Sequence, residues 1–177
     1  MQGSEHRWRH GTVAHIGLNI VPPENDGATI DNYTLAYATD SQQLVTKLQE
    51  AGVPAAFDAN LAYVFTASTP PAGSVSAAVT PPNSIAWLAT GKTGGVYTPF
   101  PGLAPFIANW WYVSGTTRTK MNTVYGEIFF FDVSAVAFYT SPFNFVGEMI
   151  GGHTIGTFSE LPVRGVFDTA TLRVKRQ

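Results

Sequence analysis

Four histidines, a carboxylate beside an aromatic run and one Gly-Lys-Thr triplet are the residues of this chain whose types could do chemistry. His6, His10 and His15 lie close in sequence, but a metal site needs ligands converging on one point, and no helical stripe brings them together. They read as incidental surface histidines. His153, in Gly151-Gly152-His153-Thr154, is a candidate general base, with Ser159 and Glu160 nearby in sequence. A catalytic triad is recognised by geometry, and no G-x-S-x-G elbow is present to supply it. Glu127 and Asp132 flank Phe129-Phe130-Phe131, and strand alternation puts them on opposite faces. Asp132 shares its face with Ile128, Phe130, Ser134, Val136 and Phe138, and is the second candidate base. Gly91-Lys92-Thr93 ends like a phosphate-binding loop, yet Ala86 stands where that loop needs a glycine. The triplet therefore reads as a turn between strands. Asn32-Tyr33-Thr34 matches a glycosylation sequon. With no cysteine, disulfides, thiolate catalysis and cysteine-ligated zinc are excluded. No catalytic residue, metal ligand or cofactor is assigned.

The densest aromatic group is Trp110-Trp111-Tyr112, followed by Arg118 and Lys120 on one face of the next strand. Aromatics beside cations can bind single-stranded nucleic acid. Two cations in a chain of net charge −2 are too few for strong binding of that kind. These five residues are candidates for an interface instead.

The elements that must hold these residues are mostly strands. Ala14, Ile16, Leu18 and Ile20 alternate with His15, Gly17 and Asn19, and Pro22-Pro23 ends the run. Tyr33, Leu35 and Tyr37 alternate next, then Leu61, Tyr63 and Phe65, Val75, Ala77 and Val79, and Ile85, Trp87 and Ala89. Further strands are expected over Asn109–Val113, Thr116–Tyr125, Glu127–Tyr139 and Thr169–Val174. One helix is expected, capped by Asp40 or Ser41, with Leu44, Val45, Leu48 and Ala51 as its stripe and Gly52 as its stop. A weaker helical turn falls around Leu103 to Ala108. Short strands punctuated by Pro and Gly predict one domain, 1–177: an all-β, antiparallel β-sandwich of jelly-roll type with one short helix.

Composition narrows the class. The chain is 45% hydrophobic and 13% aromatic but only 12% charged, against about 25% charged in ordinary domains. That argues against disorder and coiled coils. The polar start, Met1 to His10, has no apolar core of a signal peptide, and runs such as Val133 to Tyr139 are too short to cross a bilayer. The charge deficit is concentrated: from Val53 to Thr117 only Asp58 and Lys92 are charged. Interface centres are depleted of charge and rich in aromatics, so this stretch is expected to be core or subunit contact.

The segment from Pro105 to Met121 resembles a block in capsid proteins of picorna-like viruses, particularly the insect and algal members. There an aromatic-rich segment runs through a short Gly-Ser-like turn into a basic strand. Here Trp110, Trp111 and Tyr112 would be the aromatics, Ser114 and Gly115 the turn, and Arg118 with Lys120 the basic positions. The match covers under a tenth of the chain, and the usual Arg-Gly before the small residue is absent. Polyproteins of that family are commonly cut after Gln, which makes Gln177 a candidate processing terminus. The resemblance implies a jelly-roll subunit of an icosahedral shell, assembled in the host cytoplasm with copies of itself or companion subunits. The residues themselves lead us to expect no cofactor, no membrane partner and no strong nucleic-acid binding. Two rivals stand beside it: a β-sandwich module binding a ligand or carbohydrate, and a small β-barrel enzyme. The enzyme would line a pocket with Phe129 to Phe131, Tyr139 and Trp87 and use Asp132 or His153 as base. For either rival the expected location is a soluble cytoplasmic protein.

Overall fold

The computed structural model describes residues 11–68, 72–96, 105–149, 163–167 and 170–177. In chain order the elements are β1 (Val13–Asn19), β2 (Ile30–Thr39), α1 (Gln42–Glu50), β3 (Ala55–Phe57), β4 (Ala62–Ala67), β5 (Gly73–Val79) and β6 (Trp87–Val96). These are followed by β7 (Phe106–Ser114), β8 (Thr117–Tyr125), β9 (Ile128–Thr140), α2 (Phe145–Met149), β10 (Val163–Phe167) and β11 (Ala170–Arg176). The fold is all-β with short helices, as the period-two pattern predicts. It divides into two compact units, each holding one sheet. The first comprises Met1–Ala59, Leu103–Ile128 and Phe167–Gln177, and the second Asn60–Gly102 and Phe129–Val166.

The sheet of the first unit runs β1-β2-β7-β8-β11, with β3 also beside β2. Most neighbours are antiparallel, but β2 is parallel to both β7 and β3. The expected all-antiparallel pattern thus becomes mixed at β2. For β3 the reason is local, because α1 carries the chain back to start β3 beside β2 in the same direction. Ser41 caps α1, its Oγ accepting the Leu44 N–H at 3.3 Å. The other candidate cap, Asp40, accepts the Thr12 N–H at 2.8 Å instead and ties the start of β1 to the end of β2. Gly52, at φ 87°, takes the left-handed conformation that ends the helix. Leu44, Val45 and Leu48 then pack with Tyr37, Val53, Ala55 and Met121 into the core of this unit, edged by Trp110, Tyr112, Leu172 and Val174.

The second unit holds the antiparallel sheet β10-β9-β6-β5-β4. A second helix, α2, escaped the sequence reading because five residues are too few to show a period. Asn144 builds its start: the side-chain oxygen accepts the Gly147 N–H and the side-chain nitrogen donates to the Ala86 carbonyl, each at 2.8 Å. Gly147 backs against Ser141 so closely that a Cβ would lie 1.9 Å from the Ser141 carbonyl oxygen. Trp87 and Phe138 stack across β6 and β9 with ring centroids 5.6 Å apart. The helical turn expected around Leu103 to Ala108 is not formed in its described part, since β7 already begins at Phe106.

Candidate functional site

The best-defined polar constellation is carried by β2, β7 and β8 of the first unit. Gly115, at φ 59°, closes the β7–β8 hairpin and sets its register. Asn109 then stands across from Asn122, Trp111 from Lys120, and Val113 from Arg118. On the other side of β7, Asp31 is the partner of Asn109 and Tyr33 of Trp111. Asp31, Asn109, Trp111, Lys120 and Asn122 consequently share one face of the sheet. The segment between β1 and β2 brings Glu24 and Asp26 to it.

Hydrogen bonds saturate this group. Trp111 Nε1 donates to Asp31 Oδ1 at 2.6 Å, and Asn109 Nδ2 donates to Asp31 Oδ1 and Asp26 Oδ1 at 3.1 Å each. Asn122 Nδ2 donates to Asn109 Oδ1 at 2.8 Å. Lys120 Nζ donates to Glu24 Oε2 at 2.8 Å and also to Asp26 Oδ2, and it sits 5.0 Å from the centre of the Trp111 ring. Burial alone would pull the Lys120 ammonium down, but hydrogen bonds and charge from Asp26 and Glu24 outweigh it and hold the pKa above its ordinary value. Hydrogen bonding to Lys120 foremost holds both carboxyls below the usual carboxylate range. Lys120 is therefore a charged tether and not the neutral amine that nucleophilic catalysis needs. What the arrangement does is clamp the Glu24–Asp26 segment onto the sheet.

The five interface candidates do not act together. Trp111, 1% exposed, and Lys120, 8% exposed, belong to the clamp. Trp110 and Tyr112 face the opposite side, against the core under α1, where Trp110 Nε1 donates to Thr123 Oγ1 at 3.2 Å. Only Arg118 is an exposed side chain, its guanidinium 5.9 Å from the Trp111 ring centre. Gln177 pairs its backbone with Arg118 and donates its side-chain Nε2 to Glu24 Oε1 at 3.0 Å. Asp31, Asn109, Glu24 and Asp26 were missed by the sequence reading. Nothing in one strand announces partners so far away along the chain, apart from polar residues on a strand of apolar neighbours.

Elsewhere, His15 lies against Trp110, with ring centroids 4.3 Å apart, and its Nε2 is 3.0 Å from Thr34 Oγ1. The surface position expected for His15 is thus not observed, and burial lowers its pKa from 6.5 to about 4. His6, His10 and His153, with Ser159 and Glu160, lie outside the described residues. Asp132 is exposed on β9, as are Phe129 and Tyr139. Lys92 is exposed on β6 within a continuous strand, so the turn expected at Gly91-Lys92-Thr93 is not formed. Asn32 is buried on β2, a poor acceptor for a glycan. An open hollow of about 320 Å³ lies on the second sheet, lined by Val64, Thr66, Ser74, Ser76, Thr90 and Lys92 among others. No group of three or more potential metal-ligating side chains is found among the described residues. No helix among them is long and apolar enough to cross a membrane.

Comparison with protein-family models, with curated proteins and with solved structures finds no match.

Proposed function

We propose that the chain is a structural subunit of a shell, of the kind that builds an icosahedral viral capsid through charge-poor contacts between subunits. One observation carries this reading. Across the charge-poor stretch from Val53 to Thr117, Phe57, Tyr63, Val64, Leu88 and Val113 are large apolar side chains left exposed. Of the two charges in that stretch, Asp58 is buried and Lys92 alone reaches the surface. The stretch therefore supplies core residues such as Val53, Val79, Ile85 and Trp111 and, between them, apolar surface with little charge to solvate it. Surface of that composition is what a subunit covered by neighbours carries. The best-formed polar group, in addition, spends its donors and acceptors on itself.

The test is the native mass of the purified chain, read by sedimentation and by electron microscopy. Particles or large closed oligomers are the expected result, and a chain that stays monomeric at high concentration overturns the reading. A second reading, a ligand-binding module, draws on the hydroxyl-lined hollow beside Lys92. It requires saturable binding of a sugar or other polar ligand that Ser76→Leu abolishes.

A further inference from the structure

The two edges of the first sheet are built differently. β11 forms one edge and carries Arg173, Lys175 and Arg176, a cationic row that repels a second copy of itself. β1 forms the other edge and has no charged residue and no proline, although Val13 is 51% and Leu18 56% exposed. Among the described residues no further strand pairs with its outer side.

The ladder fixes which backbone groups point outward. The Asp40 N–H donates to the Thr12 carbonyl at one end, and the Ile20 N–H donates to the Asp31 carbonyl at the other. Alternation from both ends turns the even-numbered residues of β1 toward β2. It leaves the N–H and C=O groups of Val13, His15, Gly17 and Asn19 facing out. The bulge in this pair falls on β2, where Leu35 is skipped between the partners of Ile16 and Gly17. β1 thus keeps regular spacing along its whole edge, which carries no charge, no proline and no bulge of its own.

We infer that β1 pairs antiparallel with β1 of a second copy, about a two-fold axis at Ile16, joining two sheets into one. This deepens the assembly reading and rests on it in taking the partner to be the chain itself. Only outward residues can exchange hydrogen bonds, and of the registers this allows, the one that pairs the whole strand sets Val13 against Asn19 of the other copy and His15 against Gly17 of the other copy. In that register large side chains fall opposite small ones. Leu18 stands across from Ala14, the side chain of His15 faces a glycine, and Ile16 meets Ile16 at the axis. No charge is desolvated anywhere along the strand, whereas a β11–β11 pairing over the whole strand would set Arg173 against Arg173.

The test uses the full chain in three forms: unaltered, Leu18→Lys and Val13→Pro. Leu18 is exposed, so lysine is tolerated in the monomer but loses the contact with Ala14 of the other copy. Proline at Val13 removes an N–H that points away from β2 and leaves the ladder intact. Sedimentation velocity and amide hydrogen exchange are the readouts. Expected is association of the unaltered chain with slow exchange at Val13, His15, Gly17 and Asn19. Each variant should dissociate, its dimer constant weakened about tenfold or more, with fast exchange at the remaining outward amides. If the unaltered chain assembles and both variants assemble equally well, the β1 pairing is overturned while the assembly reading stands. If the unaltered chain is monomeric with fast exchange at those amides, both fall. Slow exchange in a monomer would mean that the chain's own preceding segment occupies the edge, which also overturns the pairing.

Discussion

The side chains that matter most individually are two tryptophans and a histidine. Trp111 Nε1 donates to the buried Asp31, whereas Trp87 Nε1 is buried and has no hydrogen-bond partner among the described residues. Removing a donor that satisfies a buried acceptor costs more than removing one that satisfies nothing. Trp111→Phe should therefore lower stability by about 2–4 kcal/mol, combining the lost bond with the lost volume. Trp87→Phe, which can keep the stack on Phe138, should cost about 1 kcal/mol or less. Equal losses in denaturant melts would contradict this account of the clamp. His15 gives a pH dependence of definite sign. Its folded pKa is depressed to about 4 from 6.5, so above pH 6.5 it is neutral in both states and contributes nothing. As pH falls from 6.5 toward 4 the unfolded chain takes up a proton that the folded chain refuses, and stability declines by about 3 kcal/mol in all. Replacing His15 with Gln should flatten that part of the stability–pH curve, and an unchanged slope would refute the assignment. Neither effect was legible beforehand. The sequence displayed His15 as one of several histidines and Trp111 as one of several aromatics; burial separated them.

Among the elements, the helix was the easiest to foresee and the second sheet's connections the hardest. Leu44, Val45 and Leu48 at helical spacing, a Ser ahead and Gly52 behind fix α1 by local rules alone. Ser41→Ala should remove the bond to the Leu44 N–H and cost about 1 kcal/mol. Leu48→Ala, at a fully buried position, should cost about 2–5 kcal/mol. Thermal melts of the two variants should keep that order. Most strands were legible from alternation: Asn109–Val113 grew to Phe106–Ser114 and Thr169–Val174 shifted to Ala170–Arg176, whereas β6 ran on through the expected turn to Val96 and β10 was not foreseen. Which strands pair, and in which direction, was not. The parallel contact of β2 with β7 joins residues about eighty positions apart, which no local period encodes. β3, three residues long, was too short to display alternation. The loop held by Lys120 belongs to the same category. Lys120→Met should keep the aliphatic packing but remove the ion pairs to Glu24 and Asp26, leaving them the bonds from Gln177 and Asn109, seen as faster proteolysis between β1 and β2 with the fold otherwise retained.

For the whole molecule, the charge deficit was visible from composition, and its meaning required coordinates. The stretch from Val53 to Thr117 serves both as core and as exposed apolar surface, two roles that one percentage cannot distinguish. The arrangement of segments adds something that composition does not touch. The first unit is drawn from three separated pieces of chain and the second from two. During synthesis β8 emerges long before β11, its antiparallel neighbour from Ala170 to Arg176. Until then the nascent chain presents an unfinished sheet, and the segments of the second unit are synthesised between those of the first. Such non-local closure is slow, and a half-made sheet is open to aggregation. The chain should consequently depend on folding assistance in the cell, and versions stopped before β11 should be recovered as insoluble material.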